Sequence, residues 1–171
     1  MGQYEQTKGK PKRFLAMTGH THEEFEALLP TFRICFYDWM DTYRLDGKLR
    51  GKRSYVDYKN SPLPTIEEKL YFILSYLKTN NLQEVHGALF GMGQPKANQW
   101  IHCLHNVLNQ ALGHEGDLPA REMADVQFDE FKDGIYRHDG TERPIQRPVD
   151  KQEQRMYYSG KKNDIRSKTI C

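Results

Sequence analysis

Apolar residues recur at intervals of three and four through the first part of the chain, and this spacing predicts a helical domain. A capping box, in which a threonine and a glutamate satisfy free backbone N–H groups at a helix start, is indicated at Thr21 and again at Thr65. The apolar stripe after Thr21 predicts one long helix over about 22–43, which Pro30 could kink. A similar stripe after Thr65 predicts a second helix that runs to Lys78.

Two further helical segments are separated by a short turn that contains two glycines. Residues 82–90 predict a short helix, Gly91-Met-Gly93 a turn, and residues 95–111 a longer helix. This order is typical of a helix-turn-helix, whose second helix lies in the major groove of DNA. The alternative is a helical hairpin whose polar residues only meet water. The residues at the start of the second helix that suit base edges and phosphates are Gln94, Lys96, Asn98 and Gln99.

A basic loop that contains two glycines, residues 45–53, follows the first predicted long helix. Two interpretations of it remain open. Its cations contact DNA phosphates without reading the base sequence, or the loop is an ordinary solvated linker. The four cations are Lys48, Arg50, Lys52 and Arg53.

Composition changes this picture only slightly. The net charge is +2, but the two ends of the chain are basic and residues 110–140 are acidic, which is compatible with a polyanionic partner. The three cysteines, Cys35, Cys103 and Cys171, are too widely spaced for a structural zinc site or a disulfide framework. No apolar run approaches the roughly 18 residues that cross a bilayer, and the polar start does not resemble a signal peptide. We expect a soluble, cytoplasmic protein without membrane contact.

One carboxylate near the C-terminus is a candidate for metal chemistry. Residues 134–139 predict a strand that ends at Asp139, and Lys161–Ile170 could form the next strand. A carboxylate in that position helps to hold magnesium or manganese, which prefer hard oxygen ligands. An Asp-Gly pair is more often only a turn, so Asp139 by itself is weak evidence for catalysis.

Two stretches around this residue, Asp139–Pro148 and Gln154–Lys162, resemble the start of the catalytic domain in bacterial insertion-sequence transposases of the DDE superfamily. Upstream residues, among them Tyr76–Asn80 and Leu89–Gly91, are similar to the helix-turn-helix domain that precedes the catalytic core in that group. The resemblance covers about residues 14–170. It implies a mainly α protein in which a helical helix-turn-helix domain is followed by an incomplete α/β RNase H-like segment.

The resemblance also implies a catalytic role for Asp139. In the family three acidic residues bind two metal ions that direct water or a 3′ hydroxyl at a phosphodiester, and Asp139 matches the first of them. Lys161 and Lys162 match a hairpin that approaches DNA. In the family, the second Asp and the final Glu lie well beyond the second strand, and neither has a counterpart in this sequence, which ends at Cys171. We therefore expect magnesium or manganese to bind only if the catalytic domain is completed, and this chain to be inactive alone.

The expected organisation is a disordered arm at 1–13, a helical DNA-binding domain at 14–112, a linker at 113–133 and a truncated RNase H-like segment at 134–171. The expected function is that of a truncated or first-frame transposase product that binds the double-stranded DNA of terminal inverted repeats. One alternative is a subunit or frameshift partner that contributes Asp139 to an active transposase. The other is a non-catalytic regulator of transposition. A second copy of the chain or a downstream transposase product is a possible partner.

Overall fold

The computed structural model describes residues 2–52, 54–58, 60–119, 140–144, 149–159 and 164–170. The chain divides into two units, Met1–Pro119 and Ala120–Cys171. The described part of the first unit is helical, as the sequence predicts, with two helices more than the four expected. They are α1 (Gln3–Thr7), α2 (Pro11–Thr18), α3 (His22–Thr42), α4 (Ile66–Thr79), α5 (Gln83–Leu89) and α6 (Gln94–Glu115).

The two predicted capping boxes form differently. At the start of α3 the Glu24 backbone N–H donates to the Thr21 hydroxyl at 3.2 Å, and the Thr21 N–H donates to the Glu24 carboxylate at 2.7 Å. At the start of α4 the Thr65 hydroxyl accepts from the Glu68 N–H at 3.2 Å, but the Glu68 carboxylate accepts from the Tyr4 N–H instead, at 3.0 Å. The second capping box is half formed because the Glu68 carboxylate is hydrogen-bonded to α1, which is far from α4 in the sequence. Pro30 lies inside α3 without ending it.

α4 is the central helix of the first unit. Five consecutive residues, Leu70 to Leu74, are buried, so the helix is covered on all sides. It contacts α1 and α2 as well as α3 and α6, and α6 packs also on α3 and α5. The core therefore lies around α4, with α5 and α6 at one side of it.

The first residues of the chain differ from the predicted disordered arm, because α1 and α2 pack on α4. The Tyr4 ring stacks on Phe25 with centroids 5.4 Å apart, and Phe14 is fully buried. Helices this short are marginal in isolation, and their stability comes from such packing. The composition of residues 1–13 favours disorder. The local sequence does not reveal the contacts that order them, because these contacts join residues that are far apart in the chain.

The second unit contains β1 (Gly140–Pro144), α7 (Lys151–Tyr157), β2 (Tyr158–Ser159) and β3 (Asp164–Ile170) among its described residues. β3 pairs antiparallel with both other strands, in the order β1-β3-β2. β3 coincides with most of the strand predicted over 161–170. The strand predicted over 134–139, including Asp139, lies outside the described residues, so the RNase H-like fold stays a prediction.

Candidate nucleic-acid interface

A glycine-containing turn joins α5 to α6, and the chain approaches itself closely at Gly87. A Cβ atom on Gly87 would lie 2.7 Å from the Met92 carbonyl oxygen and 3.1 Å from Cβ of Ala97, so any other residue there would force the backbone to shift. Gly91 has a φ of +68°, in the left-handed region that glycine adopts without strain. Met92 is buried and holds the turn against the core. The predicted short helix, tight turn and longer helix are confirmed.

A buried histidine anchors α5 to α4. His86 is 1% exposed, and its Nε2 atom lies 3.1 Å from the carbonyl oxygen of Phe72. Because a carbonyl oxygen only accepts, Nε2 carries the hydrogen of this bond. Burial lowers the pKa of His86 although the bond to Phe72 opposes that shift, so the ring is neutral at neutral pH. The core therefore holds α5 and the turn that follows it in place.

Three amide side chains form a cluster where α5 meets the start of α6. The amide nitrogens of Gln94 and Asn98 donate to the same oxygen of Gln83, at 2.9 and 3.0 Å. Gln94 and Asn98 lie one helical turn apart, and all three residues are half-buried. Each donating NH₂ group keeps a second hydrogen, and each carbonyl oxygen keeps its lone pairs. Gln83 therefore orients two amides without using all of their hydrogen-bonding capacity.

The outer side of α6 continues this polar surface. Lys96 is exposed and forms no ion pair within the described part of the chain, and Gln99 is half-exposed one turn later. His102 is exposed on the next turn. The inner side is buried through Ala97 and Trp100, which fixes the rotation of the helix. The four α6 residues predicted from sequence therefore lie together at one end of a rigid helix.

The basic turn, residues 43–50, is folded rather than an open linker. Tyr43 and Leu49 form an antiparallel bridge, and the Arg44 N–H donates to the Lys48 carbonyl oxygen at 2.7 Å. The Arg44 guanidinium pairs with Asp46 at 2.9 Å. Lys48 is exposed, and its side chain forms no ion pair among the described residues.

Arg50 differs from its neighbours because it closes the end of α3. Its guanidinium donates to the carbonyl oxygens of Met40 and Tyr43, the second at 3.1 Å, and it lies over the ring of Tyr55 at 5.5 Å from the centroid. A cation at the C-terminal end of a helix meets unsatisfied carbonyl groups and the negative end of the helix dipole. Arg50 is therefore engaged in holding the turn, whereas sequence suggested a phosphate contact. Lys52 is exposed, and Arg53 lies outside the described residues.

Two clefts place the basic turn beside the start of α6. The small cleft, about 230 Å³, has Asp46 and Gly47 on one side and Asn98, Gln99 and His102 among the α6 residues on the other. The large cleft, about 480 Å³, is lined by residues of the basic turn, by Lys96 and Trp100 of α6, and by the connecting loop, residues 51–62. The two regions that were separate predictions from sequence are therefore adjacent in space.

Asp57 fastens the connecting loop to the core. Its carboxylate accepts from the Tyr37 hydroxyl at 2.7 Å, the Tyr55 hydroxyl at 3.0 Å and the Lys69 ammonium at 3.2 Å. Burial works against the charged carboxylate, but these hydrogen bonds and the Lys69 charge outweigh it and lower the pKa of Asp57. Lys69 is 1% exposed, and its own pKa is lowered by burial against the opposing effect of Asp57. The loop is held because Asp57 supplies the counter-charge of a buried lysine.

Sequence reasoning missed two residues of this surface. Gln83 is separated from Gln94 by the rest of α5 and the turn, and nothing in its local sequence marks it as the shared acceptor of Gln94 and Asn98. Arg44 lies one residue before the predicted basic loop, and its charge was a usable signal. Asp139, Lys161 and Lys162 lie outside the described residues.

The described residues include no group of three or more His, Cys, Asp or Glu side chains that could hold a metal ion. Among the described helices, none is long and apolar enough to cross a membrane.

A family model for the helix-turn-helix of DDE superfamily endonucleases matches residues 61–114. These residues contain α4, α5, the turn at Gly91 and all of α6 except its last residue, Glu115. No curated protein and no solved structure shows a significant match to the chain. The family match supports a DNA-binding domain of the DDE transposase type over these residues.

Proposed function

We propose that this chain recognises double-stranded DNA through α5 and α6, as the DNA-binding part of a DDE-type transposase whose targets are the terminal inverted repeats of its element. The observation that carries the proposal is the family match over residues 61–114, which include the amide cluster at the start of α6. In a helix-turn-helix that end of the second helix contacts base edges in the major groove.

The amide cluster supports sequence-directed rather than general binding. An amide side chain recognises adenine with one donor and one acceptor together, and each such pair discriminates against a wrong base by about 1–3 kcal/mol. Gln94 and Asn98 retain both functions after their bonds to Gln83. Because Gln83 fixes their orientation, little side-chain entropy is lost when they meet a base.

The cations around the cluster suit the phosphate backbone. Lys96 on α6, Lys48 on the basic turn and Lys52 just after it are exposed and form no ion pair within the described ranges. Contacts of this kind set affinity and position without reading sequence, and they weaken as salt rises. The proposed surface thus combines base recognition by amides with backbone contacts by lysines.

The test begins with selection of bound duplexes from a randomised pool, followed by mobility-shift titration of the selected site against a scrambled duplex at physiological salt. We expect the selected site to bind more tightly, and Gln94→Ala to lose about tenfold of that preference. Gln110→Ala is the matched control, because Gln110 is an exposed glutamine of the same helix, far from the cluster. Equal affinity of the wild type for the selected and scrambled duplexes would refute the proposed recognition of DNA sequence.

The catalytic role of Asp139 is a separate proposal that rests on the sequence resemblance. As the first carboxylate of a DDE site, Asp139 would share magnesium or manganese ions with two further acidic residues.

A further inference from the structure

Three aromatic side chains line the large cleft. They are Tyr55, Tyr58 and Trp100, and the volume of the cleft, about 480 Å³, falls within the range of sites that enclose small organic molecules. The Tyr55 ring is fixed by its hydroxyl bond to Asp57 and by the guanidinium of Arg50. Tyr58 is 71% exposed, and no hydrogen bond of its hydroxyl is made within the described residues. The cleft therefore combines a rigid wall with an accessible ring.

The charged side chains that line the cleft are all cations. Three cations line it, Arg44, Arg50 and Lys96, and none of its described lining residues is acidic. Asp46 pairs with Arg44, and Arg50 is engaged with the end of α3, but Lys96 has no ion-pair partner in the described part of the chain. An occupant with an aromatic ring and a negative charge fits both features, and a nucleotide has both.

A polar side chain of the lining suits the edge of a nucleobase. The Asn60 side chain lines the cleft and forms no hydrogen bond within the described residues. Its amide offers a donor and an acceptor together, as the edge of a nucleobase does.

The position of the cleft connects it to the duplex surface. Lys96 belongs both to the start of α6 and to the cleft wall. A paired base is stacked between its neighbours and cannot enter such a site, whereas an unpaired one can leave the stack. Single-stranded nucleic acids bind proteins through this combination of aromatic rings and cations.

We propose that the large cleft holds one unpaired nucleotide of the DNA bound by α6, with its base stacked on Tyr58 and its phosphate near Lys96. This inference rests on the proposed DNA binding and adds a second mode of recognition to it. The domain then distinguishes distorted or partly single-stranded DNA from an intact duplex.

The test uses the selected duplex and a series in which one unpaired 2-aminopurine nucleotide is inserted at successive positions in and beside the site. For at least one position we expect affinity about tenfold above the fully paired duplex, together with quenched 2-aminopurine fluorescence as the base stacks. Tyr58→Ala should abolish both gains and leave binding of the paired duplex unchanged, whereas Tyr58→Phe should keep them because the ring remains. Val56→Ala is the control, since Val56 is 65% exposed on the same loop and does not line the cleft.

The outcomes separate the two proposals. If the paired duplex binds and no inserted nucleotide increases affinity, the cleft proposal is overturned and the helix-turn-helix proposal stands. A gain that Tyr58→Ala leaves intact also overturns the cleft proposal. If the paired site binds no better than a scrambled duplex, the failure lies in the proposed function itself.

Discussion

The close approach at Gly87 leads to a sharp prediction about stability. In Gly87→Ala the new methyl group would lie 2.7 Å from the Met92 carbonyl oxygen, below the distance that real Cβ atoms show. That oxygen belongs to the backbone of the turn, so no side-chain rotation relieves the overlap. The turn or α5 must move instead, and both define the geometry of the helix-turn-helix.

Two opposing effects set the magnitude. Overpacking a well-packed site costs about 1–3 kcal/mol, whereas replacing glycine by alanine inside a helix gains up to about 1 kcal/mol. With the full gain subtracted, the net expectation for Gly87→Ala is a loss of about 1 kcal/mol, in the middle of a range of roughly 0–2 kcal/mol. Gly113→Ala is the matched control, because its Cβ would meet only the Leu118 side chain at 3.5 Å, an ordinary contact in the last turns of α6. It should raise stability by about 0.5 kcal/mol.

Urea unfolding followed by tryptophan fluorescence measures both changes, because the two tryptophans, Trp39 and Trp100, lie in the first unit. In thermal unfolding a loss of about 1 kcal/mol corresponds to a fall in Tm of roughly 2–8 °C for a unit of this size. DNA binding should weaken in Gly87→Ala under conditions in which the variant is folded, and remain unchanged in Gly113→Ala. If Gly87→Ala were as stable as Gly113→Ala and bound DNA equally well, the close approach would not constrain the turn.

Two further predictions concern charge. Arg50→Ala should lower the free energy of unfolding by about 1–2 kcal/mol because the end of α3 loses its cation. Lys48→Ala should leave unfolding unchanged and reduce the slope of log affinity against log salt by about one. A loss of stability in Lys48→Ala with none in Arg50→Ala would refute these assignments. Burial raises the pKa of Glu68 above its ordinary value of 4.5, although backbone N–H groups of Tyr4 and its neighbours oppose the shift. The protonated form is therefore favoured in the folded state, so the stability it contributes is present below pH 4.5 and is lost as pH rises through the raised pKa. Glu68→Gln should flatten that decline in urea-unfolding free energies measured across pH, and an unchanged profile would contradict the assignment.

Local sequence signals predicted the helices well where the helix ends depend on adjacent residues. The Thr21 capping box and the apolar spacing after it set α3 within a residue of the expected span. The same reasoning failed in part at Thr65, because the Glu68 carboxylate bonds to α1 rather than to its own helix start. The order of residues 3–13 was missed for the same reason, since the partners that stabilise them lie far along the chain.

The candidate site likewise combines residues that local sequence signals select with features that depend on how distant segments pack. Residue type and position in a predicted helix selected Gln94, Lys96 and Asn98, whose contacts with DNA stay a prediction. Their charge alone could not distinguish the roles of Arg50 and Lys48. Arg50 donates to the carbonyl groups that end α3, whereas Lys48 is exposed to solvent. The role of Gln83 depends on where two helices meet, and the large cleft depends on where the connecting loop folds back. Neither is encoded in a local pattern.

The Lys69 ammonium group has a practical consequence. Its nitrogen is enclosed beneath the connecting loop by Asp57, and the residue is 1% exposed, whereas Lys48, Lys52 and Lys96 are exposed. An amine-specific acylating reagent should therefore modify those three first and reach Lys69 only when the loop lifts. The rate at which Lys69 is modified, followed by mass spectrometry, therefore measures how often the loop opens. The rates at Lys48, Lys52 and Lys96 give the reactivity of the reagent with exposed lysines.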